Sequence, residues 1–312
     1  MEQYPLPDQE YMVLIRCYTY NHEAYIEDAL KGFVMQKTNF PFVAVVVDDA
    51  STDETADIIR KYESKYPNII KGVYLKENHY RKKPKSIYIA PWREKCKYEA
   101  LCEGDDYWID PLKLQKQVDF MENHSEYSLC FTNSVIKYEK NTTKKHKDLY
   151  KNLKNKDYTG EEILSKWLIP TASVLYKIDY ENYPKDKRFV FGDIILFLHL
   201  AQKGKIYCIN EKMSVYRRNE SSITSKKISY HTMIDHYKAI LEHFGDKYQI
   251  IINKLIAQSY IYEFLANKLN DKSWTILIEV SKNNNIAKYF WRFMPAILYK
   301  SIKNKIINSI KS

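Results

Sequence analysis

The chain has 312 residues and a mass of 37.3 kDa, and 45% of its residues are hydrophobic, which is enough to bury a sizeable core and excludes wholesale disorder. Only 7 glycines occur against 28 tyrosines, so collagen-like and glycine-linker architectures are excluded. The formal net charge is +10, but no acidic residue follows Glu279 whereas seven basic residues do, so the positive charge is concentrated in the C-terminal tail.

The first part of the chain alternates between strand and helix patterns. Apolar runs at 12–17, 42–47 and 69–75 predict strands, and helical periodicity at 25–34 and 56–62 predicts the helices between them. The uninterrupted β-branched run at 42–47 is typical of a parallel strand covered on both faces. This order predicts an α/β fold with right-handed crossovers and an open, mostly parallel central sheet flanked by helices.

The middle of the chain continues the pattern less regularly. The stretch 77–97, which contains the basic run Arg81 to Lys85, is predicted to form surface loops, and 139–157 is polar and lysine-rich. Further extended segments are predicted at 98–102, 129–138, 171–176, 206–209 and 213–216. Helices are predicted at 111–121, 161–167 and 194–202, and from about residue 228 onward. These patterns predict a catalytic α/β domain at 1–225 and a helical extension at 226–312.

The compartment is predicted from the cysteines and from the apolar runs. Five cysteines form no CxxC pair and lie mostly in apolar runs, which predicts buried, reduced thiols. The N-terminus shows no signal-peptide pattern, and no apolar run reaches the ~18 residues of a spanning helix. We therefore expect a cytoplasmic protein.

Acidic residues follow two of the predicted strands, where open parallel sheets bind their ligands. Asp48 and Asp49 end the strand at 42–47; they are placed to accept hydrogen bonds from a nucleobase or a ribose hydroxyl, or to cap the next helix. Glu103, Asp105 and Asp106 follow the strand at 98–102 and repel one another. A divalent cation, Mg²⁺ or Mn²⁺, would relieve this repulsion and bridge diphosphate oxygens; a solvated acidic turn is the alternative.

Two further positions bear on a nucleotide site. Gly104 would let a nucleotide approach the backbone. Asp193 precedes an apolar helix and, from the residues alone, reads as its N-cap. No glycine-rich phosphate loop of the GxxxxGK[ST] or GxGxxG type occurs, so carboxylates and a metal would have to hold the phosphates of any bound nucleotide.

Three of these segments together resemble family 2 glycosyltransferases of bacterial type: 18–21 (YTYN), 47–53 (VDDASTD) and 103–108 (EGDDYW). The resemblance covers about residues 10–225. It implies a GT-A fold that transfers a sugar, with inversion, from a nucleotide-diphosphate donor, usually a UDP-sugar. It also implies that a divalent cation is the cofactor and that the acceptor is a hydroxyl of a glycan.

The resemblance further implies roles for individual residues. Tyr18 and Asp49 would line the uridine pocket together with the neighbouring Asp48, and Asp105 would lie near the ribose, the diphosphate and the metal. Asp106 would hold the metal. Asp193 would act as the general base. The segment of Arg217 and Arg218 would approach the diphosphate, and Ser221 and Ser222 would lie on a nearby loop. At Asn219 many relatives carry a histidine.

The tail at 286–312 has a basic amphipathic pattern that suits the inner face of an anionic membrane. Its aromatic cluster would lie at the headgroup boundary: Tyr289, Phe290, Trp291 and Phe293. Its apolar line consists of Leu298, Ile302, Ile306 and Ile310. Membrane contact would fit a lipid-linked acceptor in surface polysaccharide biosynthesis. The alternative is a helix packed on the catalytic domain or in a homodimer.

Two other functions compete with sugar transfer. A nucleic-acid-binding protein is suggested by the pI of about 9.0 and the many tyrosines, but the charge lies in one tail and the acidic clusters would repel phosphates. A metal-dependent nucleotidyltransferase would also use paired acids, but it usually needs a glycine-rich phosphate loop. We therefore expect no nucleic-acid partner.

Overall fold

The computed structural model describes residues 6–80, 82, 84–139, 147–218, 228–266 and 271–311. Its residues form two compact units. The first unit comprises residues 1–159, 168–181 and 200–225, and the second comprises 160–167, 182–199 and 226–312. The predicted functional division at residue 225 stays a prediction.

The first unit is built on one sheet, in which ten strands are described. They are β1 (Tyr11–Thr19), β2 (Phe42–Asp48), β3 (Ile70–Tyr74), β4 (Cys96–Leu101), β5 (Tyr107–Trp108), β6 (Tyr127–Tyr138), β7 (Lys147–Asp148), β8 (Lys156–Asp157), β9 (Leu175–Lys177) and β10 (Lys205–Arg218). The order is β3-β2-β1-β4-β9-β6-β10-β5, with β7 beside β6 and β8 beside β10. Strands β3, β2, β1 and β4 run parallel, as do β6 and β10, whereas β9 is antiparallel to both of its neighbours. The predicted mostly parallel sheet is confirmed.

Helices cover the sheet because its strands are apolar on both faces. The helices of this unit are α1 (Ile26–Val34), α2 (Thr55–Lys65), α3 (Ala90–Arg93) and α4 (Lys113–Asn123). Alternate residues of one strand enter different cores: Val13 and Ile15 join the cluster that includes Phe33, whereas Leu14 joins the cluster that includes Trp92. The sheet is therefore fixed between two apolar layers.

The second unit is helical. Its helices are α5 (Gly160–Lys166), α6 (Gly192–Lys203, whose last residues belong to the first unit), α7 (Tyr230–Phe244), α8 (Gln249–Ala266), α9 (Asp271–Ser281) and α10 (Asn284–Lys311). Helices α7 and α10 both pack on α8. The predicted C-terminal helical extension is confirmed.

Three local predictions differ from the structure. The stretch 77–97 holds a 3-10 turn at Lys85–Tyr88 and the short α3, rather than loops alone. Residues Thr171–Ser173 form a 3-10 turn after Pro170 and not the start of a strand. The two extended segments near 206 and 216 are one strand, β10, whose register with β6 is irregular between Ile209 and Ser214. The polar residues at 210–212 interrupt the apolar pattern of the sequence, so two separate segments were predicted.

The cysteine prediction is confirmed, because all five cysteines are free and four are buried. The aromatic cluster of the tail is only partly as predicted. Phe290 is fully buried and packs edge-on against Phe264, so placing it at a headgroup boundary was wrong, whereas Trp291 is 61% exposed. The apolar line beyond Leu298 lies outside the described side chains. Within the described part of the chain, no helix has the length and hydrophobicity needed to cross a bilayer.

Candidate active site

The carboxyl ends of β1, β2 and β4 are joined by backbone hydrogen bonds. The amide of Asp49 donates to the carbonyl of Thr19 over 2.9 Å, and the amide of Gly104 donates to the carbonyl of Tyr18 over 3.0 Å. The amide of Tyr18 in turn donates to the Glu103 carboxylate over 3.2 Å. Because the three strands are parallel, their following loops meet at one edge of the sheet. The first unit therefore brings the acidic residues that follow β2 close to those that follow β4, as predicted.

The two adjacent aspartates after β2 have different surroundings. Asp48 is buried, and its carboxylate accepts hydrogen bonds from the amide and hydroxyl of Ser51 in its own turn. Burial raises its pKa. Asp49 instead faces the segment 78–85, as its long-range contacts show. Asp48 thus stabilises its own turn, and the role of Asp48 in nucleotide binding stays a prediction.

Asp49 holds the segment 78–85 by three contacts. One carboxylate oxygen accepts the amide of His79 over 2.7 Å, and the other forms an ion pair of 3.0 Å with Lys85 Nζ. The side chain of Asn78 donates to the carbonyl of Asp49 over 3.2 Å. Lys85 therefore belongs to the candidate site, although the basic run that contains it was predicted to be surface loop; Arg81 and Lys83 lie outside the described residues.

Two cations lie close to the ring of Tyr18. The Arg16 guanidinium is 5.0 Å from the ring centroid and Lys85 Nζ is 5.2 Å from it. Arg16 is itself 3.5 Å from the buried carboxylate of Glu99. Burial raises the pKa of Tyr18 to about 12, so its hydroxyl stays protonated at neutral pH. Lys85 thus contacts both the carboxylate of Asp49 and the aromatic ring of Tyr18.

The acidic loop after β4 directs its carboxylates differently. Glu103 turns inward to the amide of Tyr18, and burial raises its pKa. Asp106 is also buried and accepts the amide of Arg217 over 2.8 Å. Burial, and then the charge of Asp105, hold the pKa of Asp106 well above its usual range. A cation beside Asp105 and Asp106 would favour their ionised forms.

The two aspartates fit a hard divalent cation as part of its ligand set. Carboxylate oxygens are the ligands that Mg²⁺ and Mn²⁺ prefer, and such ions commonly complete their shell with water and substrate phosphates. Among the described residues, no group of three or more acidic, histidine or cysteine side chains could hold a metal by itself. A cation site at Asp105 and Asp106, completed by water and donor phosphates, stays a prediction.

Close packing inside the loop requires a glycine at position 104. A Cβ at this position would lie 2.6 Å from Thr19 Oγ1 and 2.9 Å from His22 Nδ1. Both of these atoms are buried and have no hydrogen-bond partner. Gly104 thus allows a close contact between the end of β1 and the loop after β4, and the expected approach of a nucleotide to its backbone stays a prediction.

Arg217 has separate roles for its backbone and its side chain. Its amide orients Asp106, whereas its guanidinium ion-pairs with Asp28 and Glu139. The guanidinium also lies 4.6 Å from the ring centroid of Tyr107. The Arg217 side chain is 1% exposed, and these two carboxylates already compensate its positive charge. Arg218 is exposed, and its contact with a diphosphate stays a prediction. Asn219, Ser221 and Ser222 lie outside the described residues.

Asp193 belongs to the second unit, whereas the other predicted site residues belong to the first. It lies in the first turn of α6, one residue after the helix begins, so it is not the N-cap. One carboxylate oxygen accepts the amide of Ile194 over 2.8 Å. A carboxylate here is also favoured by the helix dipole. Its role as a base stays a prediction.

Comparison with known proteins identifies a matching family and several similar proteins. The family model described as glycosyl transferase family 2 matches residues 17–177, just over half of the chain. Protein Rv1520 of Mycobacterium tuberculosis is 36% identical over 208 residues, which are 66% of this chain and 58% of that protein. The chain thus spans less than two thirds of the length of this relative.

Two other relatives are named for sugar transfer. The putative teichuronic acid biosynthesis glycosyltransferase TuaG of Bacillus subtilis is 30% identical over 214 residues, 67% of this chain and 80% of that protein. The dTDP-rhamnosyl transferase RfbG of Shigella flexneri is 24% identical over 308 residues, 94% of this chain and 96% of that protein.

Two solved structures share the fold. TarS of Staphylococcus aureus (residues 1–349) in complex with UDP-GlcNAc superposes with a TM-score of 0.61 at 19% identity, covering 86% of this chain and 79% of that one. The mannosyltransferase PcManGT of Pyrobaculum calidifontis, in complex with GDP-Man and Mn²⁺, superposes with a TM-score of 0.54 at 12% identity, covering 97% and 90%.

Proposed function

The chain is a glycosyltransferase that belongs to family 2 and has the GT-A fold, and from this premise we propose that it transfers a sugar from a UDP-sugar to a hydroxyl of a glycan or lipid-linked acceptor, with inversion. The observation that carries the proposal is the buried Asp106 beside Asp105, at the strand edge that also holds Asp49 and Tyr18. The relatives named for teichuronic acid biosynthesis and for rhamnosyl transfer support a role in making surface polysaccharide.

The choice of UDP rests on Asp49 and Lys85. Their side chains are 3.0 Å apart and offer a hydrogen-bond acceptor beside a donor. The edge of uracil presents the complementary pair, with N3–H for Asp49 and O4 for Lys85, and the Tyr18 ring offers a surface for stacking. Thymine has the same edge, so a dTDP-sugar is the donor to compare first.

Each group has a separate task in the proposed reaction. Asp193 accepts the proton of the acceptor hydroxyl while that oxygen attacks the anomeric carbon, because an alcohol is a poor nucleophile at neutral pH. Asp105 and Asp106 would hold the divalent cation that binds the donor diphosphate. The cation, when bound, supplies positive charge to the departing diphosphate, and Arg218 adds to it. The reaction needs no covalent intermediate on the enzyme.

The test of this function is donor binding measured by thermal unfolding. We expect UDP-sugars with Mn²⁺ to raise the melting temperature. GDP-sugars are measured beside them, because guanine presents a similar pair of groups, N1–H and O6, to Asp49 and Lys85. A dTDP-sugar that stabilises the chain more than UDP-sugars would move the donor assignment to thymine. No stabilisation by any nucleotide sugar, with or without Mn²⁺, would contradict the proposed function.

A membrane contact belongs to the same proposal and rests on the last two helices. Trp274 and Ile278 of α9 are 66% and 58% exposed, and Trp291 of α10 is 61% exposed. Exposed indole rings suit the headgroup region, and the excess of basic residues after Glu279 suits anionic lipids. We propose that 286–312, together with the exposed face of α9, contacts the inner face of the cell membrane.

Vesicle flotation tests this contact. We expect the full chain to float with vesicles containing anionic lipid, and the double variant Trp274→Ser/Trp291→Ser to float several-fold less. The matched control is Ile109→Ser/Leu112→Ser, which removes exposed apolar side chains from the first unit and should float like the unaltered chain. Failure of the unaltered chain to float, accompanied by a dimer in solution, would assign this face to a second copy instead.

A further inference from the structure

A groove in the second unit is not used by the groups described above. It is shallow and wide open to solvent, with a volume of about 490 Å³. It lies between the segment before α6 and the first turn of that helix. Its lining residues are Tyr183, Pro184, Lys185, Asp186, Lys187, Phe189, Gly192 and Ile195.

The groove is open on the side of Gly192. A Cβ added to Gly192 would meet no atom within 4 Å, so this glycine borders free space. Tyr183 is held beside it, because its hydroxyl donates to the carbonyl of Gly192 over 3.4 Å. Asp193, the proposed base, is the next residue along the chain. A molecule that fills the groove would therefore contact the residue adjacent to Asp193.

The segment that forms the groove is anchored to α7. The amide of Val190 donates to His236 Nδ1 over 3.3 Å, and the Phe189 ring packs against that of His243 at 5.3 Å between centroids. Burial lowers the pKa of His236 to about 4, so its ring is neutral at pH 7 and can accept this hydrogen bond. The groove therefore exists before any ligand binds, which lowers the entropic cost of binding.

The charges of the groove favour an anion. The Asp186 carboxylate is neutralised by Arg188 at 2.6 Å and contacts His243 at 3.3 Å, and Arg188 also pairs with Glu242. Lys185 and Lys187 are exposed and form no ion pair within the described part of the chain. Two exposed lysines thus line a groove whose acidic residue, Asp186, is already paired.

We propose that this groove binds the acceptor glycan through an anionic group, either a phosphodiester or a carboxylate, with its sugar ring against Tyr183 and Phe189. Aromatic rings beside charged groups suit a sugar, whose ring carbons are apolar and whose substituents are polar. This inference rests on the proposed sugar transfer, because it gives that reaction its acceptor class. The groove selects the acceptor by charge complementarity with Lys185 and Lys187.

The test measures binding of three probes to the full chain by calorimetry: a glycerol-phosphate oligomer, a tetrasaccharide of alternating glucuronate and N-acetylglucosamine, and neutral maltotetraose. We expect at least one anionic probe to bind more tightly than maltotetraose, and its affinity to fall as salt rises. The stronger of the two anionic probes identifies the anionic group.

Variants of residues that line the groove make the test specific. Lys185→Gln/Lys187→Gln should weaken the anionic probe by about tenfold, the combined effect of two solvent-exposed charge contacts. Gly192→Val, which fills the open side, should weaken it as well. The matched control is Lys166→Gln, an exposed lysine of α5 outside the groove, and it should bind like the unaltered chain.

Three results would overturn the assignment: no binding of any probe, equal binding of maltotetraose, or unchanged affinity in the double lysine variant. The UDP-sugar thermal shift of the unaltered chain is measured alongside. A retained donor shift with no effect at the groove rejects the groove alone, whereas loss of the donor shift rejects the sugar transfer on which it rests.

Discussion

Replacing Asp193 by asparagine lowers the turnover of sugar transfer by roughly 10²–10⁴-fold while the donor still binds, because the amide cannot take the proton of the acceptor hydroxyl. This loss corresponds to about 3–5 kcal/mol of transition-state stabilisation. The asparagine has the same shape and can still accept the amide of Ile194. The measurement is the rate of UDP release with acceptor present, together with the donor thermal shift.

The matched control for this variant is Glu161→Gln. Glu161 is also an acid in the first turn of a helix of the second unit, so the variant loses the same favourable interaction with a helix dipole. It should keep normal turnover. Turnover at the unaltered rate in Asp193→Asn would remove Asp193 from the role of base, and an equal loss in both variants would point to the helix terminus rather than to proton transfer.

Replacing Asp106 by alanine abolishes the Mn²⁺-dependent stabilisation of the chain by a UDP-sugar. At a donor concentration 100 times the dissociation constant the unaltered chain gains about 2.7 kcal/mol, and the variant should gain none. Because alanine also leaves the amide of Arg217 without its acceptor, Asp106→Asn is measured beside it. Asparagine can keep that hydrogen bond but lacks the negative charge that a cation needs.

A control variant and one contradicting outcome complete the test of Asp106. Asp57→Ala removes a carboxylate that is 81% exposed on α2 of the same unit, and it should respond to donor and Mn²⁺ like the unaltered chain. If Asp106→Asn kept the full metal-dependent shift, Asp106 would only shape the loop, and the cation would have to be assigned to other groups.

The fold was predictable because its central strands carry a strong signal. All seven residues of β2 are buried, and the sequence shows this as an uninterrupted apolar run ending in an aspartate. Helices α1 and α2 repeat apolar residues at helical spacing between the strands. Where the signal was weak the prediction differed, as at Thr171–Ser173, because an apolar run of a few residues does not distinguish a strand from a tight turn.

The site was predictable at the level of loops but not of side chains. The sequence places Asp48 and Asp49 together, yet only the structure shows that Asp48 serves its own turn while Asp49 contacts Lys85. Lys85 lies 36 residues after Asp49, in a stretch without periodicity, so no local pattern indicated the ion pair. Proline before Lys85 was the one available sign of a fixed turn.

The hydrogen bond that aims Asp106 comes from the main chain of residue 217, and this affects how the site tolerates mutation. Nineteen of the twenty amino acids carry the same amide donor, and proline alone lacks it. Substitutions of Arg217 other than proline can therefore alter the packing around Asp28 while keeping the hydrogen bond that orients the Asp106 carboxylate. The orientation of the Asp106 carboxylate thus depends on the backbone at 217 and tolerates changes of the side chain at that position.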